Sequence, residues 1–142
     1  MNFIKASLAK IFSSSLLGYQ GVINTEISVY NKLKKRAPET SENELLNHLL
    51  VSRIEAPPRA TSREEEYAYY TPLLENPNKT LEDVIWAIVG YEFIQSRVEE
   101  LFAKGYKIGL STTEIFRHIE DFKARIKSDI KESIRKKVKR RT

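Results

Sequence analysis

The 142-residue chain has 24 lysines and arginines against 19 aspartates and glutamates, a formal net charge of +5, and no cysteine. Without cysteine it cannot form disulfides, thiolate metal sites or iron–sulfur clusters. Hydrophobic residues make up 41% and charged residues 30% of the sequence, a composition typical of a globular protein and too apolar for a disordered chain. A chain of this length buries about two thirds of its unfolded surface, so we expect one hydrophobic core.

Membrane insertion is not expected. No apolar run approaches the roughly 20 residues needed to cross a bilayer, and the longest candidate, residues 84–94, contains Glu92. Near the N-terminus, serines interrupt the apolar run at residues 11–17, and no convincing signal-peptidase site follows. We therefore expect no transmembrane segment, no signal peptide and a cytoplasmic protein.

The first half of the chain has apolar residues at helical spacing. Residues 2–17 and 22–36 each carry one apolar stripe and predict amphipathic helices. The second helix ends in four cations, which are favoured at a helix C-terminus by its dipole. Ser41 and Glu44 have the spacing of a capping box, which predicts a third helix that continues to Ile54.

A stiff connector, residues 55–62, contains two consecutive prolines and separates these helices from a short one. Ser62 and Glu65 form another capping-box pattern that begins this helix. It should end near Thr71, because Pro72 disfavours helical geometry in the residue before it.

The segment over about 81–104 is apolar on every side for three turns, so it predicts a central buried helix. Thr80 and Asp83 form a capping box at its start. Gly105 is positioned to end it as a left-handed C-cap.

Ser111 and Glu114 form another capping-box pattern, which begins the last predicted helix, about 112–138. This helix is roughly 40 Å long at 1.5 Å per residue. Its later apolar residues stand singly among charges, so we expect it to extend beyond the rest of the domain. The sequence thus predicts an all-α fold, a single-domain helical bundle of five or six helices with a central buried helix and a long C-terminal helix. Residues 1–134 form the single helical domain, and residues 135–142 a basic C-terminal tail.

Catalytic and metal-binding patterns are weak. Glu44 with His48 and Glu114 with His118 each share a helix face, but bundle metal sites use i, i+3 spacing for that pairing, and solvated Glu–His pairs are common. The chain has no glycine-rich phosphate loop and no Gly-x-Ser-x-Gly elbow. We expect no enzyme activity, no catalytic residue, no metal and no cofactor.

One strip of the central helix is polar although its surroundings are apolar. Glu92, Gln95, Ser96 and Glu99 lie within about 60° of one another on a helical projection. We interpret them as the solvated strip of an otherwise covered helix.

Our first functional hypothesis is a non-enzymatic protein interaction module that docks a partner, or a second copy of itself, through the extended last helix. Burying each large apolar side chain contributes on the order of 1.5 to 3 kcal/mol of stabilisation. A helix that extends alone into solvent does not gain this stabilisation unless a partner covers it. The predicted partner-binding residues are Ile126, Ile130, Ile134 and Val138.

The alternative hypothesis is nucleic-acid binding. Residues 105–119 resemble the spacing of a helix-turn-helix motif, although a simple loop before a capped helix explains the same letters. The basic tail would bind phosphates, but basic tails also complement helix ends, aid solubility or contact anionic membranes. The predicted contact residues are Thr112, Thr113, Arg117, His118, Arg135, Lys136, Lys137, Lys139, Arg140 and Arg141.

Overall fold

The structure, a computed structural model, describes residues 18–55 and 63–138. In these ranges the chain forms six α-helices and one 3-10 turn and contains no strand, so the predicted all-α bundle with a long last helix is confirmed. The helices are α1 (Tyr19–Arg36), α2 (Glu42–Ile54), α3 (Arg63–Leu74), α4 (Leu81–Phe93), α5 (Val98–Lys107) and α6 (Thr112–Lys137). The helix predicted over residues 2–17 and the cap predicted at Ser62 lie outside the described residues.

Three helices begin where the capping patterns predict. At α4, the Thr80 hydroxyl accepts from the backbone N–H of Asp83, whose carboxylate accepts from the Thr80 N–H in return. Ser111 and Glu114 form the same reciprocal box at α6. At α2, the Ser41 hydroxyl accepts from the N–H of the third helical residue at 3.2 Å. Each cap satisfies backbone donors that the helix itself leaves unpaired.

Helix α4 forms the centre of the core, as its all-round apolar sequence predicts. Val84, Ile85, Ile88 and Val89 have no solvent-exposed area. Helices α1, α2 and α6 all pack against α4. None of the helices in the two described ranges has the length and apolar character needed to span a membrane.

The prediction of one continuous central helix over about 81–104 is wrong. A 3-10 turn, Gln95–Arg97, separates α4 from α5, and Ile94 before it leaves helical geometry with φ −123° and ψ −63°. The Ser96 hydroxyl donates to the backbone carbonyl of Glu92 at 2.9 Å. A serine bonded to the carbonyl four residues earlier competes with the helical hydrogen bonds and favours such a bend.

The prediction that α6 extends beyond the bundle is also wrong. Ile126 and Ile130 are fully buried within the chain, and Ile134 and Val138 are half-buried. The physical reason is that α1, as well as α4, packs against α6. The apolar stripe that we assigned to a partner is therefore largely covered by the protein's own helices.

Helices α1 and α6 run in the same direction. Four side-chain hydrogen bonds join them and pair residues in ascending order along both helices: Tyr19 with Asp129, Gln20 with Ser133, Asn24 with Lys137, and Asn31 with the backbone carbonyl of Lys137. Burial, followed by the hydrogen bond to Asp129, raises the pKa of Tyr19 to about 12, so this phenol remains a neutral donor at physiological pH. The parallel arrangement brings the C-terminal ends of α1 and α6 together.

Gly105 does not end the central helix, contrary to our prediction. It is a buried residue within α5, and the left-handed glycine of the following turn is Gly109, with φ +86°. A Cβ atom on Gly105 would lie 2.5 Å from Cγ1 of Ile115. The absence of a side chain at this position therefore allows α5 and α6 to approach closely.

We expect Gly105→Ala to lower the free energy of unfolding by about 1 to 3 kcal/mol, because the clash with Ile115 outweighs the better helix propensity of alanine. Gly21→Ala is the matched control, since Gly21 lies in α1 and an added Cβ would meet nothing within 4 Å. The control should be neutral or more stable by up to about 1 kcal/mol. Urea unfolding followed by circular dichroism measures both, and equal stability of the two variants would contradict the close contact.

Candidate functional site

The joined C-terminal ends of α1 and α6 form a strongly basic surface. We call it the basic pole and define it as Lys32, Lys34, Lys35, Arg36, Arg135, Lys136 and Lys137. The two groups of cations are about 100 residues apart in sequence. They are brought together by the Asn31 side-chain amide, which donates to the carbonyl of Lys137 at 3.1 Å.

The α6 side of the pole is partly neutralised. Arg135 donates to the carboxylate of Glu132 at 2.7 Å, and the Lys136 ammonium lies 3.1 Å from the same carboxylate. The hydrogen bond from Arg135 is the main cause that lowers the pKa of Glu132. One carboxylate thus faces two cations, which leaves this side with excess positive charge.

The α1 side has fewer partners. Lys34 lies 5.6 Å from the centroid of the Tyr30 ring, a cation–π contact. Lys32, Lys35 and Arg36 are exposed, and the structure gives them no ion pair with any residue it describes. These three cations are available to an external anion.

Local acids and helix dipoles do not balance the pole. Besides Glu132, the nearby carboxylates are Glu39 and Glu42 at the turn into α2, and Glu42 accepts hydrogen bonds from the Tyr30 hydroxyl. Each helix C-terminus contributes about half a negative elementary charge. Seven cations outnumber these contributions, so the pole carries net positive charge beyond what the helix ends require. The tail residues Lys139, Arg140 and Arg141 follow in sequence but lie outside the described residues.

The helix-turn-helix-like segment lies at the opposite end of α6. Thr112, Thr113 and Arg117 are exposed there, and His118 is half-buried. They are about 26 to 38 Å along the helix from the α6 cations of the basic pole, at 1.5 Å per residue. The two groups of predicted nucleic-acid contacts therefore do not form one site.

The surface around that segment is aromatic. Tyr106 and Phe116 are each 52% exposed, and both pack on the ring of Phe102, with ring centroids 5.9 and 5.0 Å away. We call these three residues the aromatic patch. Sequence reasoning missed it, because its rings come from two helices, α5 and α6, whose contact no local pattern indicates.

The two predicted Glu–His pairs do not assemble a metal site. His48 is exposed on α2, and His118 is half-buried on α6. Within residues 18–55 and 63–138, no group of three or more histidine, aspartate or glutamate side chains is arranged to hold a metal ion.

A partly buried ionic cluster joins three helices, α1, α2 and α4, and was also missed from sequence. Arg53 of α2 contacts the Glu92 carboxylate of α4 and lies 3.8 Å from the Glu26 carboxylate of α1. Glu26 and Glu66 of α3 are only 5% and 1% exposed. The spacing of Glu26 within the apolar stripe of its helix could have indicated its burial. By linking α1, α2 and α4, the cluster fixes the positions of these helices relative to one another.

Comparisons with known protein families, with curated proteins and with solved structures found no match to this chain. The candidate function therefore depends on the chemistry of its surfaces.

Proposed function

We propose that the protein binds nucleic acid through the basic pole, by contacts to backbone phosphates. The observation that carries this proposal is the hydrogen bond from Asn31 to the Lys137 carbonyl, which joins two separate groups of cations at one end of the bundle. Cations that neutralise phosphates release condensed counterions, and this release supplies most of the affinity in non-specific binding. The proposed binding is accordingly strong at low salt and largely independent of sequence.

The side chains of the pole favour nucleic acid over a lipid surface. A protein that lies on a membrane combines cations with apolar side chains that enter the interface. Among the described residues, the large hydrophobic side chains that are well exposed are Tyr67, Tyr69, Tyr106 and Phe116, and none of them belongs to the basic pole. A phosphate backbone needs only the cations.

A pair of matched double variants tests the proposal. Lys35→Gln/Arg36→Gln removes one lysine and one arginine from the pole, and Lys107→Gln/Arg117→Gln removes the same charges from exposed positions near the helix-turn-helix-like segment. Binding to a short DNA duplex and to single-stranded RNA is measured by fluorescence anisotropy over a salt series. We expect the pole variant to reduce the slope of log K against log salt by about 1.4 to 1.8, because two phosphate contacts are lost.

The control variant should bind like the wild type. An equal loss of affinity in both variants would show that binding depends only on the net charge of the protein. A larger loss of affinity in the control would place the interface at the opposite end of α6. Binding to anionic vesicles but not to DNA or RNA would overturn the proposal in favour of a membrane surface.

The aromatic patch favours a second function, self-association, and this keeps the hypothesis of a protein interface on α6 while changing its location. Two adjacent, half-exposed aromatic rings present apolar area whose burial against a second copy is favourable. We propose that this patch takes the role that the sequence assigned to Ile126, Ile130, Ile134 and Val138.

Light scattering tests this second proposal. We expect the wild-type mass to exceed the 16.5 kDa of one chain and to fall to that value in Tyr106→Ser/Phe116→Ser. Tyr67→Ser is the control, since Tyr67 is an exposed tyrosine on α3, away from the patch. A wild-type mass of one chain at every concentration tested would contradict self-association.

A further inference from the structure

A cleft lies where the central helix is interrupted, between α3 and the turn that joins α4 to α5. Its volume is about 380 Å³, within the range of small-ligand pockets. We call it the tyrosine cleft and define it by Glu65, Tyr69, Tyr91, Gln95, Ser96 and Glu99. It opens at the non-helical stretch that the hydrogen bond from Ser96 to the Glu92 carbonyl stabilises. An uninterrupted helix would not place Gln95 and Ser96 in this position beside the cleft.

The wall of the cleft is aromatic. The rings of Tyr69 and Tyr91 lie 4.7 Å apart between centroids and are inclined at 48° to each other. Tyr70, which is fully buried, packs on both rings and fixes their positions. Burial, followed by the proximity of Tyr91, raises the pKa of Tyr69, so the phenol stays neutral at physiological pH. The negative faces of such rings attract cations.

The rim of the cleft is acidic. Glu65 of α3 and Glu99 of α5 both line it, and no lysine or arginine among the described residues does. Arg97 lies between two lining residues in the chain, but its guanidinium is 5.3 Å from the Phe93 ring centroid instead. The Glu99 carboxylate therefore gives the cleft a negative charge that complements a cation and opposes an anion.

From these contacts we infer that the tyrosine cleft binds an alkylammonium group, with the cation against the tyrosine rings and the Glu99 carboxylate beside it. Val98 adds an apolar surface for alkyl carbons. A divalent metal fits less well, because the described residues hold no group of three carboxylate or histidine ligands. The ammonium group belongs either to a free small molecule or to a methylated lysine side chain, and the test separates these sources. This inference is independent of nucleic-acid binding at the basic pole.

The test uses the full chain, amide-resolved NMR and two probes at constant ionic strength: choline, and a short neutral peptide with one trimethyllysine. The uncharged choline isostere 3,3-dimethylbutan-1-ol is the ligand control. We expect either charged probe to shift the resonances of Tyr69, Gln95, Ser96 and Glu99, and the isostere to leave them unchanged. Tighter binding of choline identifies a free cation, and tighter binding of the peptide identifies a side chain.

Substitutions test which side chains of the tyrosine cleft bind the cation. Tyr69→Leu should weaken binding about two- to thirtyfold, the range of one cation–π contact, whereas Tyr69→Phe retains the ring face and most of the affinity. Glu99→Gln should also weaken binding. Glu100→Gln should not, because Glu100 faces Lys104 at 2.8 Å and does not line the cleft. Equal shifts with the uncharged isostere, or unchanged affinity in both Tyr69→Leu and Glu99→Gln, would overturn the inference.

Discussion

The parallel packing of α1 against α6 determines both the covered core and the charged surface of this protein. Hydrogen bonds between the two helices hold it, and the last of them runs from Asn31 to the Lys137 carbonyl. That carbonyl is among the last four of α6, which the helix itself cannot satisfy, so the bond also caps the helix. Placing two helix C-termini together brings like partial charges into proximity. The cations of the basic pole offset this repulsion, and their excess provides the surface for which we propose an anionic partner.

The interruption of the central helix has a comparable role for the tyrosine cleft. A straight helix from Leu81 onward would have kept its polar strip as an ordinary solvated face. Because the chain leaves helical geometry at Ile94, Gln95 and Ser96 instead form one side of a cleft whose other wall is supplied by α3. The bend therefore places polar residues beside α3, next to the contact between Tyr69 of α3 and Tyr91 of α4.

Much of the fold could be predicted because it depends on local chemistry. Capping boxes located the starts of α4 and α6, and the last apolar residue of its stripe, Val138, gave the end of α6 to within one residue. Gly105 was misassigned because the contact with Ile115, on the next helix, decides its role. The candidate site could be predicted only in part. The cations at the end of each helix are evident in the sequence, but the single surface that they form depends on the packing of α1 beside α6. The prediction of an exposed apolar stripe was wrong for a similar reason, since α6 packs against both α1 and α4, and Ile126 and Ile130 are buried in the bundle.

The direction of α1 relative to α6 can be measured directly, because a chain without cysteine accepts a unique pair of spin labels. Labels at Lys35→Cys and Lys136→Cys report their separation by pulsed electron–electron resonance. Parallel helices place the two positions near the same end, so we predict a distance below about 25 Å, label linkers included. A distance above about 35 Å, as for antiparallel helices of this length, would contradict the joined basic pole and the function proposed for it.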